Sequence, residues 1–430
     1  MVMCVRLGYR SLLPLLFASL LLASLPARAQ LIEGMERWAD STVGLSSSKW
    51  AGPRVPFPPP LPRPSTSQRL DSRDWPISVH AGPHVGAQRL AEVLAAAEAT
   101  HALLAATGFL TSFGDAGQGD SGGRDLYLLD DRERTAGAEL DATGNFSALD
   151  GGRAYAWLDA RLPADRVLAC TAQALMDAQL LELDPAEAAS VRIASAAYFA
   201  SLLAGDRCED AQLEPSANPF LARSGSPGAA WLERLSERQD QNRGTFLFDM
   251  WQFARQRTWE GDDLRASPDL MEAIDRALEL SRDSFPLVAG ELGERLARAH
   301  PELVAQLSWA ALPAFSPKSA PPLGVLGSKH MMLELGASRA GKRLRVWSRG
   351  EGGGRYILSA LRLAADGREL GRLELEPRRD PMSQLSVELD ANTTAVLVSV
   401  TRFADEGVPH PDRFSELDVR SVTLTIDCQD

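Results

Sequence analysis

Cys170-Thr-Ala-Gln-Ala-Leu-Met-Asp-Ala-Gln179 lies inside a helical run that opens at Pro163 and extends to about Leu183. Proline suits the first turn of a helix, where its missing N–H would find no partner anyway. Asp184-Pro185 breaks this run and starts a second one. There Ala188, Val191, Ala194, Tyr198 and Leu202 mark a buried stripe at helical spacing, and Gly205 marks the end. The two runs predict a helical hairpin. Asp177 is the only charge in the quoted decapeptide, and no histidine occurs anywhere between His101 and His300. The helical part therefore lacks both an HExxH zinc site and a triad with a local histidine base.

Outward from the hairpin the pattern changes twice. On the N-terminal side, Trp75–His80 reads as a strand and Gly86–Thr107 as a helix, with Leu90, Val93, Leu94, Ala97, His101 and Leu104 on one stripe. Asp125–Leu129 and Ala154–Leu158 read as further strands, with a glycine-rich loop at Gly114–Gly123. On the C-terminal side, helices are expected at about Ala230–Asp240, Gly244–Arg257, Pro268–Ser281 and Leu287–Leu312. A proline-rich segment at Phe315–Pro322 then precedes short alternating runs at His330–Leu335, Leu344–Ser348, Tyr356–Leu363, Leu373–Glu376, Leu385–Leu389, Ala395–Thr401 and Ser421–Ile426. Several short strands split by Gly, Asp and Asn turns predict a C-terminal β-sandwich over 323–430. The fold class is α+β: an α/β part at about 75–160, a helical part at about 161–314, and the sandwich.

Residues 1–29 read as a signal peptide. Arg6 and Arg10 are followed by the apolar run Leu12–Leu25 and an Ala27-Arg28-Ala29 cleavage site. That run is short of the ~20 residues of a membrane span, and no cysteine follows in a lipobox position. A secreted or periplasmic protein with no membrane span after cleavage is expected. Residues 30–74 form an N-terminal segment ending in a stiff proline-rich linker, with Pro53, Pro56, Pro58, Pro59, Pro60, Pro62 and Pro64. The formal charge is −12, and loss of Arg6, Arg10 and Arg28 makes it more negative. Such a chain repels phosphate backbones, so nucleic acid is not an expected partner. Cys170, Cys208 and Cys428 remain after cleavage. Cys170–Cys208 is the preferred disulfide, joining the outer ends of the hairpin in an oxidising compartment.

Other motifs weigh less. Gly119-Asp-Ser-Gly-Gly123 matches the string around a trypsin-like nucleophile, but Ser121 has no accompanying histidine segment and no double barrel, so a glycine-rich loop is the better description. Asp115, Asp120 and Asp125 could offer spaced oxygens to calcium, but they lack EF-hand spacing, and a solvated acidic loop is the better reading. His80 and His84 are separated by Gly82-Pro83, which argues against a helical metal pair. His101 reads as a packed histidine, and His300, His330 and His410 are scattered. Trp259-Glu-Gly-Asp-Asp263 reads as an exposed acidic turn rather than a glycosidase pair. No cofactor and no metal are expected.

The order of these elements resembles a family of secreted bacterial, myxobacterial-type metallopeptidase-like proteins of the gluzincin class. The resemblance rests on the strand–helix–Gly/Asp loop–strand order and on the hairpin. It continues through Thr245-Phe-Leu-Phe-Asp-Met-Trp-Gln-Phe253 and the Pro322–Ser328 entry into the sandwich. It implies a peptidase-fold domain over 75–314. In that family the first hairpin helix carries HExxH with a glutamine three residues on. If Gln179 matches that glutamine, the histidine positions are Ala172 and Met176, the glutamate position is Gln173, and the third ligand falls near Ala194 or Ser195. Ala and Met do not ligate zinc, and Gln173 is no carboxylate base. The resemblance thus implies an exported pseudopeptidase with no catalytic residues, acting in peptide or protein binding at the vestigial cleft or in envelope assembly. An active hydrolase using Ser121 or the acids near Glu260, and a purely structural envelope protein, are the alternatives.

Overall fold

The computed structural model describes residues 61–107, 123–130, 146–150, 153–209, 214–221, 225–241, 243–254, 263–265, 269–315 and 321–429 apart from short gaps, together with Ile32, Met35 and 54–56. The chain is α+β. Its helices are α1 (Ala87–Thr107), α2 (Val167–Leu183), α3 (Ala189–Ala204), α4 (Ser226–Asp240), α5 (Thr245–Ala254), α6 (Leu270–Leu280) and α7 (Phe285–Ala299). Its first strands are β1 (Arg54–Pro56), β2 (Gln68–Asp71), β3 (Ile77–Ala81), β4 (Arg124–Leu129), β5 (Phe146–Asp150), β6 (Arg153–Asp159) and β7 (Asp263–Arg265). Then come β8 (Ala305–Ser308), β9 (Ala314–Phe315), β10 (Leu323–Gly324), β11 (Ser328–Glu334), β12 (Arg343–Gly350), β13 (Arg355–Leu363), β14 (Glu369–Arg378), β15 (Met382–Glu388), β16 (Ala395–Phe403), β17 (Val419–Arg420) and β18 (Val422–Gln429).

The N-terminal sheet has the order β2-β3-β4-β6-β5. Its middle strands β3, β4 and β6 run parallel, with β2 and β5 antiparallel at the edges. Parallel neighbours need a crossover, and α1 supplies it between β3 and β4. Every residue of β3 and β4 is buried, because both sheet faces are covered. On one face α1 and α2 share a core with Val79, Leu126, Leu128 and Ala156. On the other, Tyr127, Tyr155 and Trp157 lie beneath Leu61 of the proline-rich segment.

Helix α2 is packed between two cores. All its residues except Leu168 and Glu182 are buried, as a helix apolar all round should be. Ala174, Leu175, Ala178 and Leu181 face the sheet core. Met176, Leu180 and Leu183 face a second core built by α3 to α7, with Tyr198, Phe199, Phe248 and Trp251. Asp184 stops α2, Gly205 ends α3 in the left-handed conformation, and α3 packs back along α2. The Cys170–Cys208 disulfide joins the start of α2 to the residues just after α3. Cys428 is free.

Helix α7 stops at Ala299, not near Leu312 as its periodicity suggested. Pro301 has no N–H for the helical ladder, and its ring collides with the preceding turn. The residues beyond it become β8 and β9. Strand β8 pairs in parallel with β11, and β9 pairs with β18. The C-terminal region is β-rich, with one sheet of order β14-β13-β16-β11-β8 and another of order β15-β12-β18-β9. Leu333, Leu358 and Val398 of the first meet Val346, Leu385 and Leu424 of the second in one core. The first sheet's outer face is also covered: α7 lies against β11, β13, β14 and β16, and Ile357 and Phe403 belong to the helical core. Among the described residues no helix is long and apolar enough to cross a membrane. Residues 1–31, the proposed signal peptide included, lie outside the described residues.

Candidate functional site

The hairpin brings the four marked positions into the centre of the molecule and seals them there. Ala172, Met176 and Ser195 are each 1% exposed and Gln173 is 2%; Ala194 is also buried. Met176 packs among Leu180, Val191 and Ala194. Among the described residues the Gln173 amide oxygen and nitrogen, the Ser195 hydroxyl and the Thr171 hydroxyl have no hydrogen-bond partner. One turn away, Arg192 Nε on α3 donates to Asp177 Oδ1 on α2 at 2.6 Å, and both side chains are about nine-tenths buried. That ion pair fixes the register between the helices. Gln179 does not face the same space. Its Oε1 accepts from Arg124 of β4 at 3.2 Å, while the same guanidinium holds Glu182 at 2.7 Å. The other Glu182 oxygen accepts from the Ala154 N–H at 2.8 Å. The lower end of α2 is thus tied to the sheet. Among the described residues no group of three or more His, Cys, Asp or Glu is placed to hold a metal.

A second polar cluster lies under the proline-rich segment. His80 Nε2 and Asp125 Oδ1 are 2.9 Å apart, and the His80 ring stacks on Tyr127 at 4.8 Å. Arg63 pairs with Asp125 and sits 5.3 Å from the Tyr155 ring centroid. The Tyr155 hydroxyl donates to the carbonyls of Leu61 and Pro62 at 3.1 and 3.2 Å. The last residues of the linker are therefore docked on an aromatic face rather than acting as a free spacer. An extended, proline-rich backbone leaves its carbonyls available, and aromatic rings with hydroxyl donors suit it. Asp125 is spoken for here, so it is not a loop ligand for calcium. His84 is exposed while His80 is buried, so the two do not form a pair. Ser121, Asp115, Asp120, Glu260 and His410 lie outside the described residues. Gly123 explains part of the Gly119–Gly123 string, because a Cβ there would lie 2.2 Å from the Pro76 carbonyl oxygen.

The remaining histidines are structural. His101 packs edge-on against Trp75 at 5.1 Å, and burial with the nearby Arg124 charge pushes it down to about 4. His330 Nδ1 and Ser399 Oγ are 2.8 Å apart across β11 and β16, and burial pushes this ring to about 4 as well. Both are neutral at pH 7. His300 lies 3.1 Å from Glu302 at the end of α7.

An open cavity of about 380 Å³ lies elsewhere, where α4 and α7 meet the 214–221 loop and the β10–β11 entry. Leu292, Leu296 and Trp231 give it an apolar wall, and Arg234 gives it a guanidinium. The entry segment fits because Gly324 and Gly327 carry no side chain; a Cβ on Gly327 would lie 2.2 Å from the Ser216 carbonyl oxygen. None of the hairpin positions lines this cavity. The sequence offered one signal for it, the Pro-Leu-Gly-Val-Leu-Gly-Ser run at Pro322–Ser328. Arg234 and Trp231 carried none, since a lone arginine on a helix is ordinary.

No family model matches the chain, and no curated protein does. Solved structures resemble pieces of it. The pre-peptidase C-terminal domain of a collagenase from Bacillus anthracis is 8% identical over 29% of this chain and 94% of that one, with a TM-score of 0.19. The enzymatically active domain of a bacteriophage CBA120 tailspike is 6% identical over 27% and 18%, with a TM-score of 0.18. The adhesin domain of Lys-gingipain from Porphyromonas gingivalis is 14% identical over 26% and 69%, with a TM-score of 0.16. At these TM-scores none of them bears on fold or function.

Proposed function

We propose that the chain is an exported, non-catalytic relative of gluzincin-type peptidases that acts by binding. The observation carrying this is the α2–α3 hairpin. Its helices lie side by side, yet Ala172, Gln173, Met176 and Ser195 are buried in its packing with no ligand-type side chain among them. A buried disulfide at the hairpin's end fits an oxidising compartment. Since these positions are closed to a peptide in this conformation, the binding role falls to the open cavity between the helices and the C-terminal sheets. Purified protein incubated with a mixed peptide library and zinc is expected to give no chelator-sensitive cleavage. Zinc-dependent turnover abolished by chelator would overturn the proposal. A purely structural envelope role is the second reading, favoured by the closed hairpin; saturable ligand binding at the cavity would set it aside.

A further inference from the structure

We propose that the cavity between α4, α7 and the β10–β11 entry takes a small apolar carboxylate, its head group on Arg234 and its body against Trp231, Leu292 and Leu296. This rests on the binding reading above and names the site and ligand class.

The case begins with Arg234. Most arginines around it are neutralised. Arg238, one turn along α4, donates to Asp283 and Glu291. Arg295 and Arg372 share Glu291, and Arg372 also holds Glu294. Arg234 is half-buried and lines the cavity, yet it has no hydrogen-bond or ion-pair partner among the described residues, and its Nε is sealed from solvent without an acceptor. A buried donor left unmade is costly, and a planar guanidinium is the side chain best matched to a carboxylate. The second observation is the volume. About 380 Å³ falls within the usual range for small-molecule sites, which are mainly apolar with a few placed polar groups. Glu214, the only acid lining it among the described residues, is exposed and accepts from the Ser216 hydroxyl at 3.0 Å, so it does not neutralise the guanidinium by contact.

The same head group ends an apolar peptide and a fatty acid. Calorimetric titration of the full chain with N-acetyl-leucyl-leucine and, separately, with decanoate distinguishes them; the tighter of the two names the source. Single-site binding is expected, weakened about ten- to a hundredfold in Arg234→Met, as for loss of one charge-assisted contact. The C-terminally amidated dipeptide should bind as weakly to the wild type. Arg234→Met breaks no observed ion pair, so its melting temperature should hold. Leu296→Trp, which fills the apolar half and leaves Arg234 in place, should weaken binding at least as much. Absence of binding by both carboxylates, or binding indifferent to both substitutions, overturns the proposal. Zinc-dependent peptidase activity alongside intact carboxylate binding would sink the non-catalytic reading and leave the cavity assignment standing.

Discussion

At the scale of single residues, Gln173 is the most exposed to test. Its amide is buried with neither end bonded among the described residues, and an unmade buried polar group costs about 1–3 kcal/mol. Gln173→Met should therefore raise stability by about 1 kcal/mol in denaturant unfolding, with carboxylate binding unchanged. A loss of stability would show that the amide does something in the fold beyond filling space. The two neutral histidines set a pH dependence. Each is lowered to about 4, below the ~6.5 of an unfolded chain. The unfolded state then binds the extra proton, so their contribution is full above pH 6.5 and is lost as pH falls toward 4. By pH 5 the loss is about 2 kcal/mol for each ring, and His330→Leu should remove its share of the difference between unfolding curves at pH 7 and pH 5. Asp275 works in the opposite direction. Burial, then the Glu279 charge, raise it to about 6. Its penalty is absent below ~4, grows as pH rises, and is full above 6. Asp275→Asn should stabilise the chain by about 1–2 kcal/mol at pH 7, discounted for partial exposure, and by nothing at pH 3.5.

At the scale of elements, the hairpin was legible because its signals are local. Pro163, Asp184-Pro185 and Gly205 act on the backbone within a turn of themselves: Asp184 ends α2 and Gly205 ends α3, while a 3-10 turn at Ala164–Arg166 follows Pro163 before α2 begins at Val167, and α3 begins only at Ala189. The disulfide followed from the same geometry. Reducing Cys170–Cys208, which spans 38 residues, should cost about 3–4 kcal/mol in the chain-entropy model. Comparing thermal melts of the wild type and of Cys170→Ala/Cys208→Ala measures it. What was not legible depends on distant partners. The end of α7 was missed although Pro301 marked it, because Val304, Leu307 and Leu312 continue an apolar spacing that actually serves β8, β9 and their surroundings. Strand β16 reads Ala-Val-Leu-Val-Ser-Val-Thr-Arg-Phe, nearly continuous rather than alternating, and all but its first residue is buried. That run signals a strand covered on both faces. Only the structure shows that α7 supplies the second cover. The candidate site was less legible still: its positions were legible as absences, whereas the cavity is made by five segments distant in sequence, Ser415 and Val419 among them.

At the scale of the whole molecule, the helical part and the β-rich part share a core. Phe285 of α7 meets Phe403 of β16 edge-to-face at 5.4 Å, and Ile357 is buried in the same cluster as Leu292 and Trp231. The C-terminal sheets also take β8 and β9 from residues before Pro322. A fragment of residues 321–430 would therefore lose two edge strands and expose Ile357, Phe403 and the rest of the outer face, at about 1.5–3 kcal/mol for each large side chain returned to water. Against the 5–15 kcal/mol that holds a typical domain together, that loss is decisive. The fragment should show no cooperative thermal transition by circular dichroism, while the full chain should melt without a separate C-terminal step. The cavity would vanish with it, because α4 and α7 supply its apolar wall and its guanidinium. A fragment that melted cooperatively at the temperature of the full chain would mean that the sheets are self-sufficient and that the shared core is only a docking surface.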